Sequence, residues 1–189
     1  MQSIIRKEFN QHLIATDETI KSVIKPIEIA GKLCISCLKD GNKILLFGNG
    51  GSAADAQHIA AEIVGRYITN RKGLPAIALT TDSSVLTSIG NDFGYLNIFN
   101  RQVQALANKK DVIIGISTGG SSVNVINGLK TAKDIGCKTI GFSGKGGGDF
   151  NTLCDINLIA ASNKTPRIQE MHILFGHTIC QLIDSAFND

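Results

Sequence analysis

His58 and Glu62 stand four residues apart, just after a glycine-rich string, Gly48-Asn49-Gly50-Gly51-Ser52. On a helix that spacing puts both side chains on one face. An imidazole and a carboxylate so placed can ligate a divalent metal or share a proton. Taken alone, the pair also fits a surface contact or a satisfied core histidine. Its neighbours, Ala54, Ile59, Ala60, Ala61 and Ile63, are apolar and small, so the two polar groups need a reason to be there. More ligand-type side chains gather near the C-terminus: Gln169, Glu170, His172 and His177. On a helix Glu170 and His177 nearly eclipse, whereas Gln169 and His177 differ by about 80°, a gap that a long Gln side chain can bridge. Spacing does not choose between them.

Two further strings suit an anion. Gly48 to Ser52 leaves an apolar run and enters a helical pattern, where backbone N–H groups and the helix N-terminus favour negative charge. With Ala53 it satisfies a dinucleotide fingerprint, but the acidic residue at the end of the next strand, Asp82, lies far beyond the spacing that a ribose contact requires. Ser117-Thr118-Gly119-Gly120-Ser121-Ser122 sits in the same kind of position and offers four hydroxyls. It has no G-K-[ST] ending, which argues against a nucleoside triphosphatase and for a sugar phosphate. Gly90-Asn91-Asp92-Phe93-Gly94 reads as a polar turn whose Asn91 and Asp92 either cap a helix or grip hydroxyls.

The elements that must carry these residues alternate. Two helices are expected in the first forty residues, from Ile4, Ile5, Phe9, Leu13 and Ile14 and then from Ile20, Val23, Ile24, Ile27, Ala30, Leu33, Cys34 and Leu38. Short apolar runs at 43–47, 76–79, 111–116, 138–142 and 155–159 read as five buried parallel strands. Helices follow at about 53–67, through 107, to 135, and from Thr165 (as N-cap, with Pro166 first inside) to about 187. The α/β alternation predicts a three-layer sandwich around a five-stranded parallel sheet, with ligands at the carboxyl ends of its strands. At 189 residues the chain reads as one domain, residues 1–189.

Bulk properties narrow the function. A net charge of +3 with no basic run does not argue for nucleic acid. No apolar stretch is long enough to span a bilayer, and the N-terminus lacks the apolar run of a signal peptide, so a cytoplasmic protein with no membrane partner is expected. Five cysteines speak against a full disulfide framework, and Cys34-x-x-Cys37 lies in an apolar helical pattern, as core thiols do.

In order along nearly the whole chain, Gly48-Asn49-Gly50-Gly51-Ser52, Asp55-Ala56-Gln57-His58, Glu62, Gly65-Arg66-Tyr67, Gly90-Asn91-Asp92-Phe93-Gly94, Gly115-Ile116-Ser117-Thr118, Gly144-Lys145-Gly146-Gly147 and Arg167-Ile168-Gln169-Glu170-Met171-His172 with His177 resemble the phosphoheptose isomerases of the sugar-isomerase (SIS) fold, a flavodoxin-like architecture. The resemblance implies interconversion of sedoheptulose 7-phosphate and D-glycero-D-manno-heptose 7-phosphate through an enediol, the opening step toward nucleotide-activated heptose. It implies one zinc per subunit on His58, Glu62, Gln169 and His177, with Glu62 as base and His177 as acid. Substrate contacts would come from Asn49, Gly50, Gly51, Ser52, Glu62, Asn91, Asp92, Ser117, Thr118, Gly119, Ser122 and Gln169. It also implies a homotetramer, with residues 1–40 used in assembly and sites built at subunit contacts. The chain departs from the family pattern at Gly119, where a second Ser is common, and at Pro166, where many members carry Asp. The rival readings are a non-catalytic adaptor of the same fold that binds the replication initiator, which needs no metal or acid/base set, and another phosphosugar aldose–ketose isomerase.

Overall fold

The computed structural model describes residues 1–188. Five parallel strands, β1 (Ile44–Gly48), β2 (Ala76–Ala78), β3 (Val112–Ile116), β4 (Lys138–Ser143) and β5 (Ile156–Ile159), form one sheet in the order β2-β1-β3-β4-β5. The register aligns Ile44 with Ala76 on one side and Val112 on the other. Every residue of β1 and β3 is buried, as their unbroken apolar runs require of a sheet covered on both faces.

Alternation along the strands feeds two cores. Ile44, Leu46, Val112, Ile114, Ile140 and Phe142 face α1 (Gln2–Lys39), α2 (Gly51–Val64) and α7 (Thr165–Ala186). Leu45, Phe47 and Ile113 face the other layer, with α3 (Ser83–Phe93), a 3-10 turn (Tyr95–Asn97), α4 (Asn100–Leu106), α5 (Val123–Ile135) and α6 (Phe150–Leu153). Fully burying one such Leu, Ile or Phe is worth roughly 1.5–3 kcal/mol, so the two cores dominate folding. The three-layer, flavodoxin-like expectation holds.

Several local expectations are corrected. The first forty residues form one continuous helix, not two, and Pro26 sits inside it. Its C-terminal half is held by burial of Val23, Ile27, Ala30 and Cys34 against α7 and the sheet, which offsets the hydrogen bond that proline removes. Its N-terminal half is apolar but exposed: Ile4, Phe9 and Leu13 are 65–70% accessible. The helix after β1 begins at Gly51 and ends at Val64, short of Tyr67. Residues 90–93 are the last helical turn of α3 rather than a free turn, and Gly94 ends it at φ 82°. In α7, Lys164 holds the cap position, with Thr165 and Pro166 both inside the helix. The short α6 was not legible in the sequence.

Candidate active site

The strand order reverses direction between β1 and β3, and that crevice is where this topology receives ligands. Both glycine-rich loops open there, Gly48–Ser52 from β1 into α2 and Ser117–Ser122 from β3 into α5. Gly50 adopts φ 56°, a left-handed turn that glycine makes without strain and that starts α2 at the next residue. A Cβ at Gly48 would lie 2.8 Å from the Ile116 carbonyl, so the absent side chain lets the two strand ends close up. Ser117 Oγ and Ser122 Oγ are hydrogen-bonded at 2.9 Å, and no side chain caps either helix. Two helix N-termini without side-chain caps and a pair of hydroxyls thus meet here, a surface that prefers a multiply charged anion.

The loops are stitched together by a pair the sequence reading missed. Asn49 and Asn124 exchange side-chain bonds of 2.8 and 2.9 Å, and the Tyr95 hydroxyl donates to Asn49 Oδ1 at 2.9 Å. The Asn49 side-chain oxygen and one of its two N–H groups are therefore part of the scaffold. Nothing about Asn124 or Tyr95 in one dimension marks them as its partners. A cavity of about 450 Å³ lies beside this network, bounded by Gly48, Asn49, Thr80, Gly90 and Tyr95.

α2 and α7 run side by side in the same direction. At their start Gln169 packs on Gly51; further along, His177 meets His58 and Gly176 lies on Ile59. A Cβ on Gly176 would collide with the Ile59 side chain, so this glycine sets the close approach of the two helices. His58 Nε2 lies 3.2 Å from Glu62 Oε1 and 3.4 Å from His177 Nε2, and the ligand atoms of the three residues fall within 4.8 Å of one another. Two nitrogens bound to one tetrahedral zinc at about 2.0–2.1 Å stand about 3.3 Å apart, so the donor set fits such an ion. The cluster is partly open: the His58 side chain is 48% accessible and that of Glu62 24%. Gln169 lies toward the glycine-loop end of the seam, against Gly51. Tyr67 stacks near His177, their ring centroids 5.5 Å apart. One turn before His58, Asp55 Oδ2 is buried without a partner among the described residues, and burial pushes its carboxyl above the usual range while the charge of His58 opposes this.

Glu170 and His172, two of the four ligand-type residues read on the last helix, do not reach this cluster. Glu170 accepts from Arg167 and lies 2.8 Å from His12 Nδ1, while Arg167 also donates to Glu8 at 2.6 Å, so the group ties α7 to α1. His172 is buried against Phe142 and Phe175 and bonds the Ser143 carbonyl at 3.0 Å, its basicity pushed down to about 4 by burial. Asn91 and Asp92 stand apart as well. Asn91 donates to Asp92 at 2.8 Å, and Asp92 lines a separate cavity with Asp82 and Arg101.

Comparison with known proteins agrees with this geometry. The family model described as the SIS domain matches residues 8–144. A phosphoheptose isomerase of Aliarcobacter butzleri is 63% identical over the full length of both chains, and phosphoheptose isomerase 1 of Campylobacter jejuni is 54% identical over 99% of this chain and 100% of that one. The structure of the phosphoheptose isomerase from Neisseria gonorrhoeae superposes with a TM-score of 0.93 at 43% identity, covering 97% of this chain and 98% of the other. With its two loops at the β1/β3 crevice and its histidine–glutamate cluster on α2 and α7, this chain belongs to the SIS-domain family and, within it, to the phosphoheptose isomerases.

Proposed function

We propose that the protein interconverts sedoheptulose 7-phosphate and D-glycero-D-manno-heptose 7-phosphate through an enediol. The observation that carries this reading is the convergence of His58, Glu62 and His177 beside two anion-binding loops. Ketose–aldose exchange moves one proton from C1 to C2 and others between the two oxygens. Glu62 takes the C1 proton as the C2 carbonyl becomes a hydroxyl with a proton from His177. His177 then accepts the O1 proton while Glu62 returns its proton to C2, giving the aldehyde. Residues His58, Glu62, His177 and Gln169 would hold zinc, one per subunit, which supplies a Lewis acid for charge on the oxygens. Neither Glu62 nor His177 is at once a tight ligand and a free proton carrier, so each serves the two roles in turn.

The phosphate belongs at Ser117, Thr118, Gly119 and Ser122, with Gly50, Gly51 and Ser52 presenting amides and a hydroxyl from the facing helix start. Asn49 holds the loops together and has a second side-chain N–H with which to meet the substrate. Gln169 orients hydroxyls beside Gly51. Asn91 and Asp92, which lie apart from the loops within one chain, suit a site completed at a subunit contact. A homotetramer accounts for the accessible apolar face of α1, where Ile4, Phe9 and Leu13 have no cover. A cytoplasmic enzyme of heptose supply for surface glycans is the role that the resemblance to the phosphoheptose isomerases implies; among the described residues no helix is long and apolar enough to cross a membrane.

Turnover of sedoheptulose 7-phosphate, measured before and after chelation and again with zinc restored, tests the reading. Loss and recovery are expected. Activity indifferent to chelation removes the metal and keeps the isomerase. Inactivity in every state favours the adaptor alternative, which the named relatives do not favour.

A further inference from the structure

One string in the sequence has no place in the mechanism so far: Gly144-Lys145-Gly146-Gly147. It follows β4, the neighbour of β3, so it lies beside the Ser117–Ser122 loop. The two loops pack backbone on backbone. Asp149 N donates to the Gly120 carbonyl at 3.1 Å, and a Cβ on Gly120 or Gly148 would collide with carbonyls of the other loop. Lys145 is fixed there by its N–H, which donates to Ser162 O at 3.0 Å. Its Cδ lies 3.9 Å from where a Cβ of Gly119 would stand, which puts the stem along the loop proposed to hold phosphate.

Three features of this lysine need a common cause. It sits at φ 51°, a left-handed conformation that costs an L side chain, in a loop where Gly146, Gly147 and Gly148 take similar angles. It is exposed, and among the described residues its ammonium forms no salt bridge. The loop beside it carries hydroxyls and amides for a dianion but no cation, and at Gly119 it lacks even the hydroxyl of the family's common serine. A residue kept in a strained position, without a partner, next to an anion site short of charge, is placed to meet the anion. We infer that Lys145 is a substrate-binding residue that supplies the positive charge of the phosphate subsite. The contact is made equally to substrate and transition state, because phosphate lies away from the reacting carbons.

This inference rests on the isomerase reading for its substrate but not for its test. Lys145→Met and Lys145→Gly remove the charge, and the glycine variant also relieves the backbone. Both are expected to raise KM for sedoheptulose 7-phosphate about tenfold with kcat within about twofold, and to weaken competitive inhibition by inorganic phosphate in parallel. Lys145→Arg is expected to retain most of the affinity. Phosphate binding followed by calorimetry gives the same comparison should the wild type not turn over the heptulose, which separates failure of this inference from failure of the reaction. KM and phosphate affinity within about twofold of wild type in both charge-removing variants would overturn the assignment. Equal losses in Lys145→Arg and Lys145→Met would do so too, since charge would then not be the cause.

Discussion

Along the seam between α2 and α7, two polar clusters a couple of turns apart are built on opposite principles. At the far end, Asp184 is fully buried and every oxygen is used: Oδ1 accepts from Arg71 Nε at 2.7 Å, and Oδ2 from Ile68 N, Thr69 N and Thr69 Oγ1 at 2.8–3.0 Å. Arg71 in turn donates to the carbonyls of Ile63 and Glu62 at 2.9 and 3.1 Å, closing the end of α2 and the loop that presents Tyr67. In the middle of the seam, His58, Glu62 and His177 aim their ligand atoms at one another with no such network of donors. A fully satisfied buried pair holds shape, whereas partly open ligand atoms that converge on one another can share a proton or take up an ion. The first cluster is scaffold for the second, since it anchors the helix end that carries Glu62.

That contrast can be broken from either side. His177→Ala should lower turnover by about 10³-fold or more while thermal unfolding stays near wild type, because a partly open residue is lost from chemistry and not from the core. Normal turnover would remove His177 from the mechanism. Asp184→Asn should instead act first on stability, costing about 3–5 kcal/mol by leaving Arg71 buried without its counter-charge. Denaturant titration reads this directly.

The same pair predicts an acid limb. Hydrogen bonds from Thr69, Ile68 and Arg71 overcome burial and hold the Asp184 carboxyl down at about 2, below its ordinary 3.8. A carboxylate with a depressed folded value stabilises the protein above its ordinary range, and that contribution fades as pH falls from about 4 through about 2. Asp184→Asn should therefore flatten stability over that window, and an unchanged acid limb would show that Asp184 is not its source. Gly176→Ala is the smallest of these changes. Its methyl forces Ile59 aside, at about 1–3 kcal/mol for overpacking, and moves His177 off His58. Metal affinity should fall more than phosphate affinity; equal falls would mean that Gly176 does not set the seam.

Much of the fold was legible because apolar runs and their spacing report burial directly. The five strands and the two anion loops stand where the sequence placed them. The reading erred where a helix depends on what it packs against. The mixed stretch from Ala15 to Thr19 looked like a break, yet Ala15 and Thr19 are buried and continue one helix. Asn91 and Asp92 looked like a turn because their residue types favour turns, but α3 extends through them to Gly94. On the last helix, four ligand-type side chains are equivalent in one dimension, and only packing separates Glu170, paired with Arg167, and His172, sealed behind Phe142 and Phe175, from His177.

By itself the sequence determined which chemistry was available: hydroxyls and glycines for an anion, and imidazole and carboxylate at helical spacing for metal and proton. Local rules suffice there, because turn geometry and helix periodicity act over a few residues. The tertiary structure alone decided which of those groups meet. His58 and His177 lie 119 residues apart, and Asn49 and Asn124 are separated by 75, so both contacts arise only when the strand order and the glycine at 176 bring α7 and α5 onto the α2 end of the sheet. Contacts at that separation are set by packing of whole elements, whose cost and benefit no local pattern records.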